Sequence, residues 1–267
     1  MTNKLKFTSQ GRGTPLVLIH GWGMNSAVWQ PITDLLTEDY QVITVDLPGF
    51  GENVAVELAN YSLKHVANLI IESVGQPAIY LGWSLGGLIA SEIALCSPSH
   101  VLGLVTVASS PCFIATKNWP AINADVLKSF HQQLSQSPTK TIKNFLKIQA
   151  MGSPNVRQDI KLVTDLVMQY PEPQKNILDQ SLLLLETSDH RDKLIKITQP
   201  FLRLYGRLDG LVPRQAIKLI DNLAPKSQSH VFEQSSHAPF ISQPHAFCDC
   251  LHQWLLLKIP AQKALSP

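Results

Sequence analysis

The chain has 267 residues, enough for one or two domains, and its 45% apolar and 16% charged composition excludes intrinsic disorder. A net charge of +2 gives no reason to expect nucleic acid as a partner. The longest aliphatic runs, Leu16–Ile19 and Leu182–Leu185, fall far short of the ~20 residues a membrane-spanning helix needs.

The first six residues lack the apolar stretch of a signal peptide. Cys96, Cys112, Cys248 and Cys250 form no C-x-x-C pair and are expected to be reduced, mostly buried thiols of a soluble, cytoplasmic protein. Charge is uneven. Residues 1–110 hold four basic and eight acidic side chains, a net of −4, whereas residues 191–267 hold ten and five, a net of +5. Basic groups for an anionic partner therefore come from the later part of the chain.

In chain order, 16–21 reads as a buried strand ending in Gly21, 25–36 as a helix, and 41–46 as a second strand. Ser62 caps a helix to about Val74, with Leu63, Val66, Ala67, Ile70 and Ile71 at 3.6-residue spacing. A strand over 78–83, a helix over 85–96 and a strand over 101–108 follow. Continuous apolar strands alternating with helices predict an α/β fold with a mostly parallel sheet covered on both faces. From 111 to 190 the strand signal stops, and helical segments are broken at Trp119-Pro120, Ser137-Pro138, Gly152-Ser153-Pro154 and Tyr170-Pro171-Glu172-Pro173. Strand 200–206, helix 213–223, a strand near 230–232 and helix 245–258 complete the pattern. The expectation is one α/β core domain, 1–110 plus 191–267, with residues 111–190 inserted as a helical lid. Only the tail from Pro260 is expected to be disordered.

Gly82-Trp83-Ser84-Leu85-Gly86 fits G-x-S-x-G at a strand-to-helix junction, the setting of a nucleophile elbow. A serine hydroxyl needs a base, and the base an orienting acid. Asp209, after the strand at 200–206, and His237, after the strand near Val231, follow in the order Ser, Asp, His. Both fall in loops at the carboxyl ends of strands, where such sheets gather ligands. The oxyanion donors are expected to be the Leu85 N–H, at a helix N-terminus, and the Trp22 N–H, in the glycine-rich loop His20-Gly21-Trp22-Gly23. His20 is expected to brace that loop rather than act as a base.

Leu18-Ile19-His20-Gly21-Trp22-Gly23, Asp46-Leu47-Pro48-Gly49-Phe50-Gly51, the Ser84 elbow, Asp209 and His237 resemble the α/β-hydrolase superfamily over nearly the whole chain. More narrowly, Gly82 to Gly87, Phe201 to Pro213, Ser236 to Ser242 and the run Phe145 to Gly152 are similar to the pimeloyl-[acyl-carrier protein] methyl ester esterase family of biotin synthesis. Glu52-Asn53 after Gly51 departs from the superfamily's usual pattern, outside the triad. The resemblance implies Ser-His-Asp ester hydrolysis without cofactor or metal, on an acyl chain carried by an acidic acyl-carrier protein. It also implies substrate contacts at Trp22, Ser84, Leu85, Phe145, Leu146, Lys147, Ile148, Gln149 and His237. The run 140–161 carries five cations against Asp159 alone. Lys140, Lys143, Arg157 and Lys161 are therefore the carrier-docking candidates, on a chain expected to be monomeric. A broad short-chain esterase or a C–C bond hydrolase on the same triad are the alternatives, and a non-catalytic ligand receptor is the alternative of another class.

Overall fold

The computed structural model describes residues 4–259; the tail from Pro260 lies outside them. Seven strands form one sheet: β1 (Phe7–Gln10), β2 (Thr14–Ile19), β3 (Tyr40–Val45), β4 (Ala78–Trp83), β5 (Val101–Val107), β6 (Phe201–Gly206) and β7 (Gln228–Phe232). Their order is β1-β3-β2-β4-β5-β6-β7, with β1 antiparallel to β3 and every other pair parallel. Every residue of β4 and β6 is buried; β4 accordingly reads as an unbroken apolar run, whereas β6 is interrupted by Arg203, whose buried guanidinium is paired with Asp221. The edge strand β1 was not anticipated. All four of its side chains are exposed, so no burial pattern marks it, and its position comes from pairing with β3 and from the Leu5 N–H bond to Ser73 Oγ at 2.8 Å.

Two helices on the first half of the sheet follow their local signals closely. In α2 (Leu63–Val74) the Ser62 hydroxyl accepts the His65 N–H, and left-handed Gly75 ends the helix. The helix α3 (Leu85–Cys96) starts directly after Ser84. The segment 25–36 is not one helix: Asn25 caps a 3-10 turn over Ser26–Trp29, and α1 (Gln30–Leu36) follows. Pro31 has no N–H to bond the turn behind it, so it suits only a helix start.

Between β5 and β6 run four helices, α4 (Ala124–Gln136), α5 (Pro138–Ala150), α6 (Val156–Val167) and α7 (Lys175–Thr187), separated at the prolines that the sequence marks. The outgoing and returning chains meet at an isolated bridge between Cys112 and Asp189. Beside it, His190 Nε2 lies 3.0 Å from Glu92 Oε2 of α3, and this bond holds the Glu92 carboxyl below its ordinary range. Three helices complete the chain: α8 (Arg214–Leu223), a short α9 (Pro239–Ser242) and α10 (Pro244–Lys258). No helix among the described residues is long and apolar enough to cross a membrane. All four cysteines are free thiols, but Cys96, at the end of α3, is exposed rather than buried, and Cys250 is half-buried. Burial pushes the Cys248 thiol up to about 12, which makes it inert as a nucleophile.

His20 ties the carboxyl ends of β2 and β3 together. Its Nε2 accepts the Leu47 N–H at 3.0 Å and its Nδ1 lies 2.8 Å from the Gly21 carbonyl, so the neutral ring carries its proton on Nδ1. The ring is fully buried, edge-on to Phe50. Burial lowers its pKa below 6.5, against the opposing pull of Asp46 and the Gly21 carbonyl. The unfolded chain therefore binds more protons just below pH 6.5. His20 contributes its full stability above that pH and loses it as the pH falls towards the lowered folded value. Urea unfolding between pH 7 and 5 should show a stability loss whose slope is shallower in His20→Gln, by up to ~1.4 kcal/mol per pH unit. Equal slopes in the two proteins would remove His20 from the acid response.

Candidate active site

Ser84 sits between β4 and α3 with φ 55° and ψ −115°, a backbone conformation that costs a non-glycine residue ~1–3 kcal/mol. Its neighbours pay for the turn in close contacts that only glycine permits. A Cβ on Gly82 would strike the Gly86 carbonyl, and one on Gly86 would strike the carbonyls of Ile19 and His20. Main-chain and side-chain bonds hold the strained residue: Ser84 N–H donates to the Val107 carbonyl at 2.9 Å, and Ser109 Oγ donates to the Ser84 carbonyl at 2.8 Å. Leu85 is the first residue of α3, so its N–H has no acceptor within the helix.

Asp209 and His237 come together from the loops after β6 and β7. Asp209 Oδ2 lies 2.8 Å from His237 Nδ1, and both side chains are fully shielded from solvent. The other carboxylate oxygen accepts the Leu211 N–H at 2.8 Å and the Val212 N–H at 3.1 Å, which fixes the plane of the carboxylate. Three acceptor contacts leave this buried charge fully compensated. His237 Nε2 is buried and has no partner among the described residues. The imidazole is thus held at one nitrogen and unbonded at the other, Ser84 Oγ included, while the Trp83 indole N–H ties the His237 carbonyl to the strand before the elbow at 2.8 Å.

The Trp22 N–H, in the loop after β2, makes no hydrogen bond among the described residues. That loop packs on the elbow, since a Cβ on Gly21 would lie 3.3 Å from Ser84 Cβ. The Trp22 ring is buried; its Nε1–H donates to the Leu178 carbonyl of α7 at 2.9 Å and its face meets Phe145 of α5 edge-on at 5.0 Å. Trp22 therefore joins the core to the inserted helices.

The expected contact run on α5 divides between two faces. Phe145, Leu146 and Gln149 are buried, and both polar atoms of the Gln149 carboxamide lack partners. Lys147 is exposed and, with half-buried Ile148, lines an outer groove of about 560 Å³ between α4 and α5. A cavity of only about 20 Å³ lies against the His237 loop, lined by Trp83, Leu146, Gln149, Ser236, Ala238 and Ile241 among others. Ligand sites usually measure ~300–1,000 Å³. Lys140 and Lys143 on α5 and Arg157 and Lys161 on α6 are all exposed. Lys161 is paired with Asp165 at 3.0 Å, an acid one turn beyond the basic run 140–161. Among the described residues, no three His, Cys, Asp or Glu side chains are grouped to hold a metal ion.

Sequence reasoning missed the supporting residues. The Trp83 indole, the Ser109 hydroxyl and the Leu211 and Val212 amides have no motif of their own; they are set by how three loops meet. Ser109 follows a second left-handed residue, Ala108 with φ 45°, a conformation that an alanine does not announce in sequence.

The profile of the alpha/beta hydrolase fold family matches residues 14–244. The chain is 48% identical over 255 residues to a pimeloyl-[acyl-carrier protein] methyl ester esterase from Photobacterium profundum, covering 96% of this chain and 100% of that protein. It is 46% identical to the protein of the same name from Klebsiella pneumoniae, covering 88% and 91% of the two chains. Among solved structures, an esterase from Exiguobacterium antarcticum superimposes with a TM-score of 0.84 at 25% identity, over 94% and 95% of the two chains. An elbow serine, a buried His–Asp pair in chain order and this extent of similarity lead to one conclusion: the chain belongs to the α/β-hydrolase family.

Proposed function

We propose that this chain is a serine carboxylesterase that hydrolyses the methyl ester of pimeloyl-[acyl-carrier protein], releasing methanol and the free acid in biotin synthesis. The observation that carries the chemistry is the Asp209–His237 pair at 2.8 Å, with a free Nε2 beside the strained Ser84 elbow. The substrate rests on the near-full-length likeness to esterases of that name.

Ser84 Oγ attacks the ester carbonyl while His237 Nε2 takes its proton. Asp209 keeps the imidazole in the Nδ1–H tautomer and stabilises the imidazolium that forms. The Trp22 and Leu85 N–H groups receive the oxyanion. Collapse of the tetrahedral intermediate breaks the bond to the methoxy oxygen, which leaves as methanol with the proton from Nε2. Water, activated by His237, then releases the acid and restores Ser84. Phe145, Leu146 and the unpaired Gln149 carboxamide face the acyl chain, whereas Lys147 and Ile148 border its outer approach. The closed cavity requires the lid, residues 111–190, to shift for an acyl chain to enter. Lys140, Lys143, Arg157 and Lys161 steer the acidic carrier towards that entrance. The enzyme acts in the cytoplasm as a monomer.

Purified protein should release methanol from the carrier-bound methyl ester, and Ser84→Ala should lower kcat by about 10⁶-fold with the fold intact. Retention of more than about a hundredth of the activity would exclude Ser84 as the nucleophile. Turnover of short esters alone, with none of the carrier substrate, would favour a broad esterase instead.

Reversing Lys140, Lys143 and Arg157 to Glu should lower kcat/KM for the carrier substrate about 10- to 100-fold, or ~1.4–2.8 kcal/mol. Lys161 is left unchanged because its charge is already met by Asp165. A short uncharged ester should be turned over as before, and salt should narrow the difference. Equal loss on both substrates would mean that the charges support the fold.

A further inference from the structure

The end of α5 is bonded to the His237 loop and packs against the Asp209 loop. The His237 N–H donates to the Gln149 carbonyl at 3.2 Å. Ser236 Oγ lies 2.7 Å from the Met151 carbonyl and 3.3 Å from the Leu208 carbonyl, and Ser236 is 3% exposed. The Leu208 N–H donates to the Ser235 carbonyl at 2.9 Å. Gly152, left-handed at φ 91°, lets the turn after α5 lie so close to Leu208 that a Cβ on it would sit 3.1 Å from Leu208 Cβ. Leu208 and Ser236 immediately precede Asp209 and His237. Carbonyls at a helix end need donor partners from outside the helix, and here the His237 loop supplies them. A single hydroxyl on the His loop, itself 3% exposed, therefore lies within hydrogen-bond distance of both the turn after α5 and the Asp loop.

We propose that Ser236 is a positioning residue that couples the seating of α5 to the orientation of His237, so that the inserted helices and the base move as one unit. The proposal rests on the esterase reading for its consequence in turnover, but not for its structural content. With α5 seated, the Gln149 carbonyl holds the His237 N–H and the Met151 carbonyl holds the Ser236 hydroxyl. With α5 displaced, the His237 N–H loses its acceptor and the Ser236 hydroxyl keeps only the longer contact to Leu208, so His237 is left with Asp209 at the ring and the Trp83 indole at its carbonyl. Substrate lying on the inner face of α5, or a carrier pressing on its outer face, would then act on kcat through His237 without touching it.

Removing the hydroxyl in Ser236→Ala should lower kcat for a short ester about 10-fold with KM within twofold of wild type, and Ser236→Thr should restore most of it. Gly152→Ala disturbs the same contact from the helix side without touching His237 and should cause a similar loss. The double variant should be no worse than about twofold below the poorer single one, because both break one shared element. Imidazole NMR, which needs no turnover, should show the His237 titration moved in Ser236→Ala and in Gly152→Ala alike. Thermal unfolding within a few degrees of wild type completes the expected result. An unchanged kcat and titration in both single variants would overturn the proposal, as would losses that multiply in the double variant or a His237 titration that moves in neither. If wild-type protein hydrolysed no ester, the esterase reading would fall, while the NMR comparison would still decide the coupling.

Discussion

The molecule is built around the point where the start of α3 crosses the end of β2. The Gly86 main chain lies against the Ile19 and His20 carbonyls, and the Gly82 main chain against the Gly86 carbonyl, at separations no side chain could enter. That crossing forces Ser84 into its left-handed conformation and leaves the Leu85 N–H, at the start of α3, without an acceptor in the helix. The strain of ~1–3 kcal/mol is held by the Ser84–Val107 ladder bond and by Ser109, both anchored in the most buried part of the sheet. A looser crossing would relieve the strain and lose the alignment of hydroxyl and donors that the proposed chemistry needs.

Two materials meet around that point. Below it, β2, β4, β5 and β6 are buried on both faces and His20 locks two strand ends with a neutral imidazole. Above it, the inserted helices share the apolar core through residues such as Phe145 and Leu178, and directional contacts add to this: the Trp22 indole to Leu178, Asn25 to the Val167 carbonyl, and Ser236 to the turn after α5.

Much of this was legible in the residues because burial writes itself as apolar runs and turns as glycine and proline. The strands from β2 to β6, the cap at Ser62 and the order Ser84, Asp209, His237 all carry such signals. The α/β fold, the family and the esterase relationship follow the sequence reading. The edge strand β1 was invisible because its side chains are solvated, and the 3-10 start before α1 because its helical pattern does not record which amides are bonded. The two-faced α5 was blurred by naming Phe145 to Gln149 as one contact run, although its 3.6-residue period separates Lys147 and Ile148 from the buried three. The Trp83, Ser109 and Ser236 bonds depend on three loops converging, and no short stretch of chain encodes that.

The central claim, that Ser84 is a nucleophile activated by the His237–Asp209 pair, is tested most directly by covalent trapping. Incubation with a fluorophosphonate followed by peptide mass spectrometry should place a single adduct on Ser84, with labelling at least ~100-fold slower in Asp209→Asn because the imidazole then favours the wrong tautomer. An adduct on a different residue, or labelling of Ser84 at an equal rate in both proteins, would contradict the account.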